Sequence, residues 1–284
     1  MNSAVVEMLV WIGTRLGKPP GWERVARTLA PPKRFSKAGD LCVVRDGLLF
    51  VAQPTLTLGW NVVMFGTYEP ELREIIRTVL SDGGVAVDVG ANVGWHTLLM
   101  ARQVGNAGLV VAVEPNPSVR RRLEAHLDLN RLSQVRVVPC ALGEQQGTTD
   151  FWGPPAESLS SGDGHLISAQ ERDTQGVIQV EVRRFDTVFA ELSLSRLDLV
   201  KIDVEGFEWP VLKGGAETIA RFRPQIVFEF NKEYFSRGGG TTDQLEHFFE
   251  EHRYRLFAIQ RNWGAALEPG DWPENADIWA IPLP

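Results

Sequence analysis

Acidic side chains at places where strands should end, one of them beside closely spaced glycines, are the residues of this sequence best suited to chemistry. Asp88 precedes Gly90-Ala91-Asn92-Val93-Gly94, and Glu114 closes the next apolar run; Asp203, Glu205 and Glu229 stand near the ends of two later ones. Such glycines let a ligand approach the backbone, and a helix opening just after them points unpaired N–H groups at it. A carboxylate roughly 20 residues past such a turn holds a ribose diol in Rossmann-type sites. Glu114 sits near that spacing, so turn and acid together read as a nucleoside site.

The glycines narrow the choice of nucleoside. A dinucleotide fingerprint needs G-x-G-x-x-G, whose second glycine clears room for a pyrophosphate. Asn92 stands where that glycine would fall, and Asp88 just before the turn would repel a pyrophosphate. The same carboxylate suits a ligand carrying an ammonium and a sulfonium, as S-adenosyl-L-methionine does. The plainer alternative is an ordinary βαβ unit whose glycines only make the turn. An NAD-linked oxidoreductase would share this unit, against the missing glycine and Asp88.

The elements that must position these residues follow from periodicity. Val85, Val87 and Val89 read as a strand buried on both faces, and Trp95 to Arg102 carries apolar groups at helical spacing. Leu109–Val113, Val135–Val138, Thr148–Trp152, Val177–Val182, Asp198–Val204 and Pro224–Phe230 read as further strands, with Tyr254–Ile259 and Ile278–Ile281 as two late ones. A helix from Pro117 buries Val119, Leu123, Leu127 and Leu129, and Pro139-Cys140-Ala141-Leu142-Gly143 reads as a small-residue loop able to lie along a flat ring. Alternation puts Lys201, Asp203 and Glu205 on one side of their strand. Charges there need a reason, and the usual one is the ligand crevice where strand order reverses; the alternative is a Lys201–Asp203 ion pair that only holds the strand end. Gly153–Gly176 is a long Ser- and Gly-rich loop, a candidate lid, while Trp263 and Trp272 are candidate acceptor walls or packing residues.

Two domains are expected, residues 1–67 as an extension and 68–284 as the nucleotide-binding domain. In the first, one helix buries Val5, Met8, Leu9, Ile12 and Leu16, a second spans Trp22–Leu29, a hairpin covers Leu41–Val51, and two short strands lie between Leu56 and Phe65. It is a candidate cap or subunit contact, the latter making a homo-oligomer. The 284 residues are 44% hydrophobic and 23% charged, an ordinary soluble composition, and the formal charge of −7 argues against a nucleic-acid partner. Cys42 and Cys140 form no pair-spaced motif, and no signal peptide or membrane span is read, so the expected location is cytoplasmic. No metal is expected: Asp203, Glu205 and Glu229 offer oxygen ligands without a recognisable spacing.

The strings VDVGANVGWHTLLMA, VVAVEPNP, VVPCALG, LVKIDVEGFEWPVLKGG and PQIVFEFN resemble the FkbM family of S-adenosylmethionine-dependent methyltransferases, from about Tyr68 to Pro284. The resemblance implies the α/β class I methyltransferase fold, a Rossmann-like, mostly parallel seven-stranded sheet in order 3-2-1-4-5-7-6 with the last strand antiparallel. It implies O-methylation of a hydroxyl on a sugar, glycolipid or other natural product. By position it assigns Asp88, Gly90, Asn92 and Gly94 to the methionine side of the cofactor and Glu114 to the ribose. Cys140, Ala141 and Leu142 fall near the adenine; Tyr68 is counted among the cofactor-binding candidates. Asp203 and Glu205 lie beside the reacting methyl, Asp203 with a further part in holding the cofactor. Glu205 or Asp203 is expected as base, with His96 and Glu229 as further candidates. A non-catalytic nucleoside-binding module is the remaining alternative.

Overall fold

The computed structural model describes residues 3–16, 21–153, 165–166, 177–259 and 264–284. The described residues divide into two compact units, one of residues up to Pro70 and one from Glu71 onward. Among the described residues no helix is long and apolar enough to cross a membrane.

The first unit comprises α1 (Ser3–Leu16), α2 (Trp22–Leu29), a short 3-10 segment (Pro32–Phe35), the hairpin β1 (Leu41–Arg45) and β2 (Leu48–Ala52), and α3 (Thr57–Phe65). Its core is Leu9, Ala26, Ala30, Trp60, Met64 and Phe65, with the Trp60 indole N–H donating to the Ala30 carbonyl at 2.8 Å. The two short strands expected between Leu56 and Phe65 are instead α3. Seven of its nine residues are buried, so it shows no apolar stripe to betray a helical period, and Gly66 ends it at φ 77°. The unit is therefore chiefly helical, with one hairpin. On α1, Leu9 and Gly13 face inward while Met8, expected on the buried side, is exposed. A Cβ on Gly13 would lie 2.2 Å from the Met64 carbonyl oxygen, which shows how closely α1 and α3 approach.

The second unit begins with α4 (Pro70–Val79), followed by β3 (Val85–Val89), α5 (Trp95–Val104), β4 (Leu109–Val113), α6 (Pro117–Asn130) and β5 (Val135–Val138). Next come β6 (Ala141–Gly143), β7 (Gly147–Trp152), β8 (His165–Leu166), β9 (Val177–Arg184), α7 (Phe185–Glu191) and β10 (Leu199–Ile202). The remainder is α8 (Glu208–Gly214), α9 (Ala216–Phe222), β11 (Gln225–Asn231), α10 (Lys232–Arg237), α11 (Thr242–Glu251), β12 (Tyr254–Ala258), β13 (Ala265–Ala266) and β14 (Asn275–Pro282). The main sheet runs β13-β12-β14-β11-β10-β3-β4-β5. Strands β5, β4, β3, β10 and β11 are mutually parallel, and β14 is antiparallel to both β11 and β12. Apart from the two-residue β13, which makes eight strands rather than seven, this is the order 3-2-1-4-5-7-6 of the class I methyltransferase fold. Because β3 lies between β4 and β10, strand order reverses at its carboxyl end, where such sheets bind ligands.

A second sheet is ordered β6-β9-β7-β8, with β7 and β9 where Thr148–Trp152 and Val177–Val182 read as strands; β6, β8 and the pairing of the four are not foreseen. It corrects the expected loop at Pro139–Gly143: Ala141–Gly143 is a strand, parallel to β9. Leu129, expected to be buried, is exposed, since the inner face of α6 passes through Leu123, His126 and Leu127. The candidate lid falls outside the described residues apart from Gly153 and β8, and Trp263 falls outside them too. Trp272 packs instead of lining a wall, 4.7 Å from the Phe230 ring, with its N–H donated to Glu246 at 2.7 Å.

Candidate active site

Parallel pairing of β3 with β10 sets Asp88 opposite Lys201. The Lys201 ammonium lies 3.4 Å from Asp88 Oδ1 and 3.1 Å from Asp203 Oδ2, and donates to the Gly90 carbonyl at 3.1 Å. Thr97, one turn into α5, donates its hydroxyl to Asp88 Oδ2 at 2.6 Å. Asp88 is 0% exposed, so the lysine and the hydroxyl supply what water cannot. The Lys201–Asp203 ion pair, the alternative to a ligand crevice, is thus present, but as part of a knot that also fixes Asp88 and the glycine turn. The Asp203 side chain remains 35% exposed.

The turn is held from every side. Gly90 has φ 75°, and a Cβ there would fall 1.8 Å from the Asp203 carbonyl oxygen, so no other residue fits. The Gly90 and Ala91 N–H groups both donate to the Val113 carbonyl at 3.0 Å. Asn92 sits at φ 51°, a conformation asparagine tolerates, and its Oδ1 accepts the Val93 N–H at 2.8 Å. Gly94, at φ 93°, lets α5 start against Leu123 of α6. Glu114 is buried and accepts the Asn92 N–H at 3.0 Å and the Asn116 N–H at 2.8 Å. Burial raises its carboxyl to about 7, against the pull of those two N–H groups. His96 is buried beside the same region. Burial first, then the Lys201 charge, hold its imidazole well below the usual range and hence neutral.

Asp203 and Glu205 leave the end of β10, and Glu229 sits near the end of the adjacent β11. One carboxylate oxygen of each lies within 4.8 Å of the others. Register places Asp277 of β14 directly across from Glu229. Burial, then the charges of Asp203, Glu205, Glu208 and Asp277, push Glu229 up to about 9; burial and Asp203 push Asp277 to about 6, opposed by Lys201. The first residue of α8, Glu208, is buried and accepts the Val204 and Gly206 N–H groups at 3.0 and 3.1 Å on one oxygen. Burial raises it to about 7.

The structure therefore brings Asp88, Gly90, Asn92, Gly94 and His96 to one strand-turn-helix, Glu114 to the same turn from the end of β4, and Asp203 and Glu205 to the neighbouring strand tip. Cys140 and Leu142 turn their side chains into the core. Tyr68 stands in a bend just before α4, within the first unit. Sequence reasoning missed Thr97, Glu208 and Asp277. Thr97 is three residues past Gly94 and Glu208 three past Glu205, spacings a helix start could have suggested; Asp277 depends on strand register and left no local signal.

With the geometry in hand, comparison with known proteins is specific. The chain matches the Methyltransferase FkbM domain over residues 88–256. It is 30% identical over 242 residues to the AMB antimetabolite synthetase AmbE of Pseudomonas aeruginosa, covering 68% of this chain and 11% of that protein. It is 29% identical to the 2-O-methyltransferase NoeI of Sinorhizobium fredii (53% of this chain, 65% of NoeI), and 31% identical to the 31-O-demethyl-FK506 methyltransferase FkbM of Streptomyces tacrolimicus (48% and 60%). The chain spans less than two thirds of the length of each of these relatives. The match takes in both Asp88 of β3 and the Asp203–Glu205 tip of β10, and by it this chain belongs to the FkbM methyltransferase domain family.

Proposed function

We propose that the chain is an S-adenosylmethionine-dependent O-methyltransferase acting on a hydroxyl of a sugar or other natural product. The observation that carries the reading is the convergence of Asp203, Glu205 and Glu229 beside a glycine turn already knotted to Asp88 through Lys201. The donor set fits that cofactor: acceptor-only carboxylates suit an ammonium and a sulfonium, and Glu114 keeps lone pairs for a diol beyond the two N–H groups it accepts. Bound there, the cofactor supplies an electrophilic methyl for in-line displacement. Names of the relatives, 2-O-methyltransferase and 31-O-demethyl-FK506 methyltransferase, support oxygen as the acceptor atom.

The chain's own residues have three tasks. The turn, held through Lys201 by the buried Asp88, and Glu114 orient the donor, and Asp203 completes its cationic side. Glu205 takes the proton of the acceptor hydroxyl as that oxygen becomes an ether, a poor nucleophile made competent by a base within hydrogen-bond reach. Positioning the oxygen about 3–3.5 Å from the carbon it attacks supplies much of the remaining acceleration. His96, neutral and buried, is a lesser candidate for the proton. The acceptor is a small molecule or glycan rather than a nucleic acid, and the proposed setting is the cytoplasm.

Calorimetry with S-adenosylhomocysteine and with NAD, followed by transfer of labelled methyl to a panel of sugars, tests the reading. Association with the thioether and none with NAD is expected; the reverse would make the chain an oxidoreductase. Glu205→Gln should abolish transfer with thioether affinity kept, whereas Asp203→Ala should lose affinity; full transfer in Glu205→Gln would remove it as base. The spacing of Asp203, Glu205 and Glu229 favours one second reading, a divalent cation on three oxygens that polarises the hydroxyl. Transfer that a chelator stops and magnesium restores would put that reading in place of the base.

A further inference from the structure

Glu205 occupies a backbone conformation that its side chain does not favour. Its φ is 53° and that of Gly206 is 100°, and the Phe207 N–H donates to the Val204 carbonyl at 3.3 Å. A four-residue turn with both central residues left-handed has the pattern of type I′, where Asn-Gly or Gly-Gly is at ease and a long side chain in the first central position is strained. Arg131 and Arg223 share a positive φ, but each ends a helix, where it is ordinary. Glu205 ends none. Its carboxyl is also brought close to those of Asp203 and Glu229, and the Asp203 charge adds like-charge repulsion to the backbone cost.

Strained residues persist only where their surroundings over-determine them. Gly206 is wedged against α10: a Cβ there would lie 2.6 Å from the Tyr234 carbonyl oxygen, and a Cβ on Gly238 would lie 1.9 Å from the Gly206 oxygen. That fixes the second half of the turn, and the backbone on either side of Glu205 is tied as well. Both flanking N–H groups, of Val204 and Gly206, converge on one oxygen of Glu208, which is 2% exposed. We propose that Glu208 is a positioning residue that holds Glu205 toward the acceptor by tying the N–H groups on either side of it. The role in transfer rests on the reading of Glu205 as base; the clamp itself does not.

Three variants in the full chain test this: Glu208→Ala, which removes the acceptor oxygen, Glu208→Gln, which keeps a carbonyl oxygen in its place, and Glu208→Asp, which withdraws the carboxylate by one methylene. The readouts are amide exchange at Val204 and Gly206, S-adenosylhomocysteine affinity, and the split of methyl transfer between kcat and acceptor KM. In Glu208→Ala both amides should exchange faster and kcat should fall about 100-fold, the scale of a misplaced reacting group, with thioether affinity and KM unchanged. Glu208→Gln should restore both protection and kcat. An unchanged kcat in Glu208→Ala, or a loss of thioether affinity in step with kcat, would overturn the proposal. Should Glu208→Ala fail to fold, the remaining pair decides: Asp must lose kcat and Gln keep it. Lost protection in Glu208→Ala alongside full transfer in Glu205→Gln would sink the base and spare the clamp; retained protection would sink the clamp whatever Glu205 does.

Discussion

Glu229 shares its corner of the sheet with Asp203, Glu205, Glu208 and Asp277, and the crowding fixes how the protein answers pH. Its carboxyl rises from 4.5 to about 9 on folding. Below pH 4.5 native and unfolded chains both hold that proton; from there to about 9 only the native chain does, so stability falls as pH rises through this window. Asp277, Glu114 and Glu208 are raised as well and act with the same sign. Glu229→Gln should therefore raise the thermal midpoint at mildly alkaline pH and leave it unchanged in acid, as melting curves across pH will show. Thiol chemistry gives a second check: Cys42 is exposed, while burial lifts Cys140 to about 12. One thiol of the two should react with an aromatic disulfide in the native protein and both after denaturation. At this scale Asp88, Asp203, Glu205 and Glu229 were legible because strand ends reveal themselves by their apolar runs. Asp277 was not, because its meeting with Glu229 is decided by pairing across two strands far apart in the chain.

The tie between β3 and β10 shows what an element can and cannot tell. Both strands read plainly as apolar runs, and the glycine turn was legible down to Asn92. That Lys201 serves Asp88, Asp203 and the Gly90 carbonyl together needed the parallel register. Lys201→Met strands Asp88 in the interior without its cation and should cost about 3–5 kcal/mol in urea denaturation. The double variant with Asp88→Asn should regain part of that loss. α3 was misread for the opposite reason: burial on all sides erases the stripe that marks a helix, and its Val62 and Val63 then resemble strand residues. By contrast α11 carries a full capping box, Thr241 with Gln244, and Thr241→Ala should cost about 1 kcal/mol.

Across the whole molecule, the order of the main sheet followed from family resemblance, since periodicity orders strands along the chain and not across a sheet. Of the second sheet, β7 and β9 were legible as strands, while their pairing was hidden because they lie on either side of a long polar stretch, and β6 and β8 because they are only three and two residues long. Each unit has its own core, Trp60 and Met64 in one and the aromatic cluster around Phe228 and Phe249 in the other. Residues 71–284 expressed alone should melt cooperatively by circular dichroism; a broad, non-cooperative transition would contradict the division. The left-handed turn at Glu205 and Gly206 bears on the molecule's history as well as its chemistry. Glycine at position 205 would relax the backbone and thin the crowd of carboxylates, so selection for heat resistance alone should find it early. On the reading of Glu205 as base, the winner of such a screen would be a hardier protein that no longer performs its reaction.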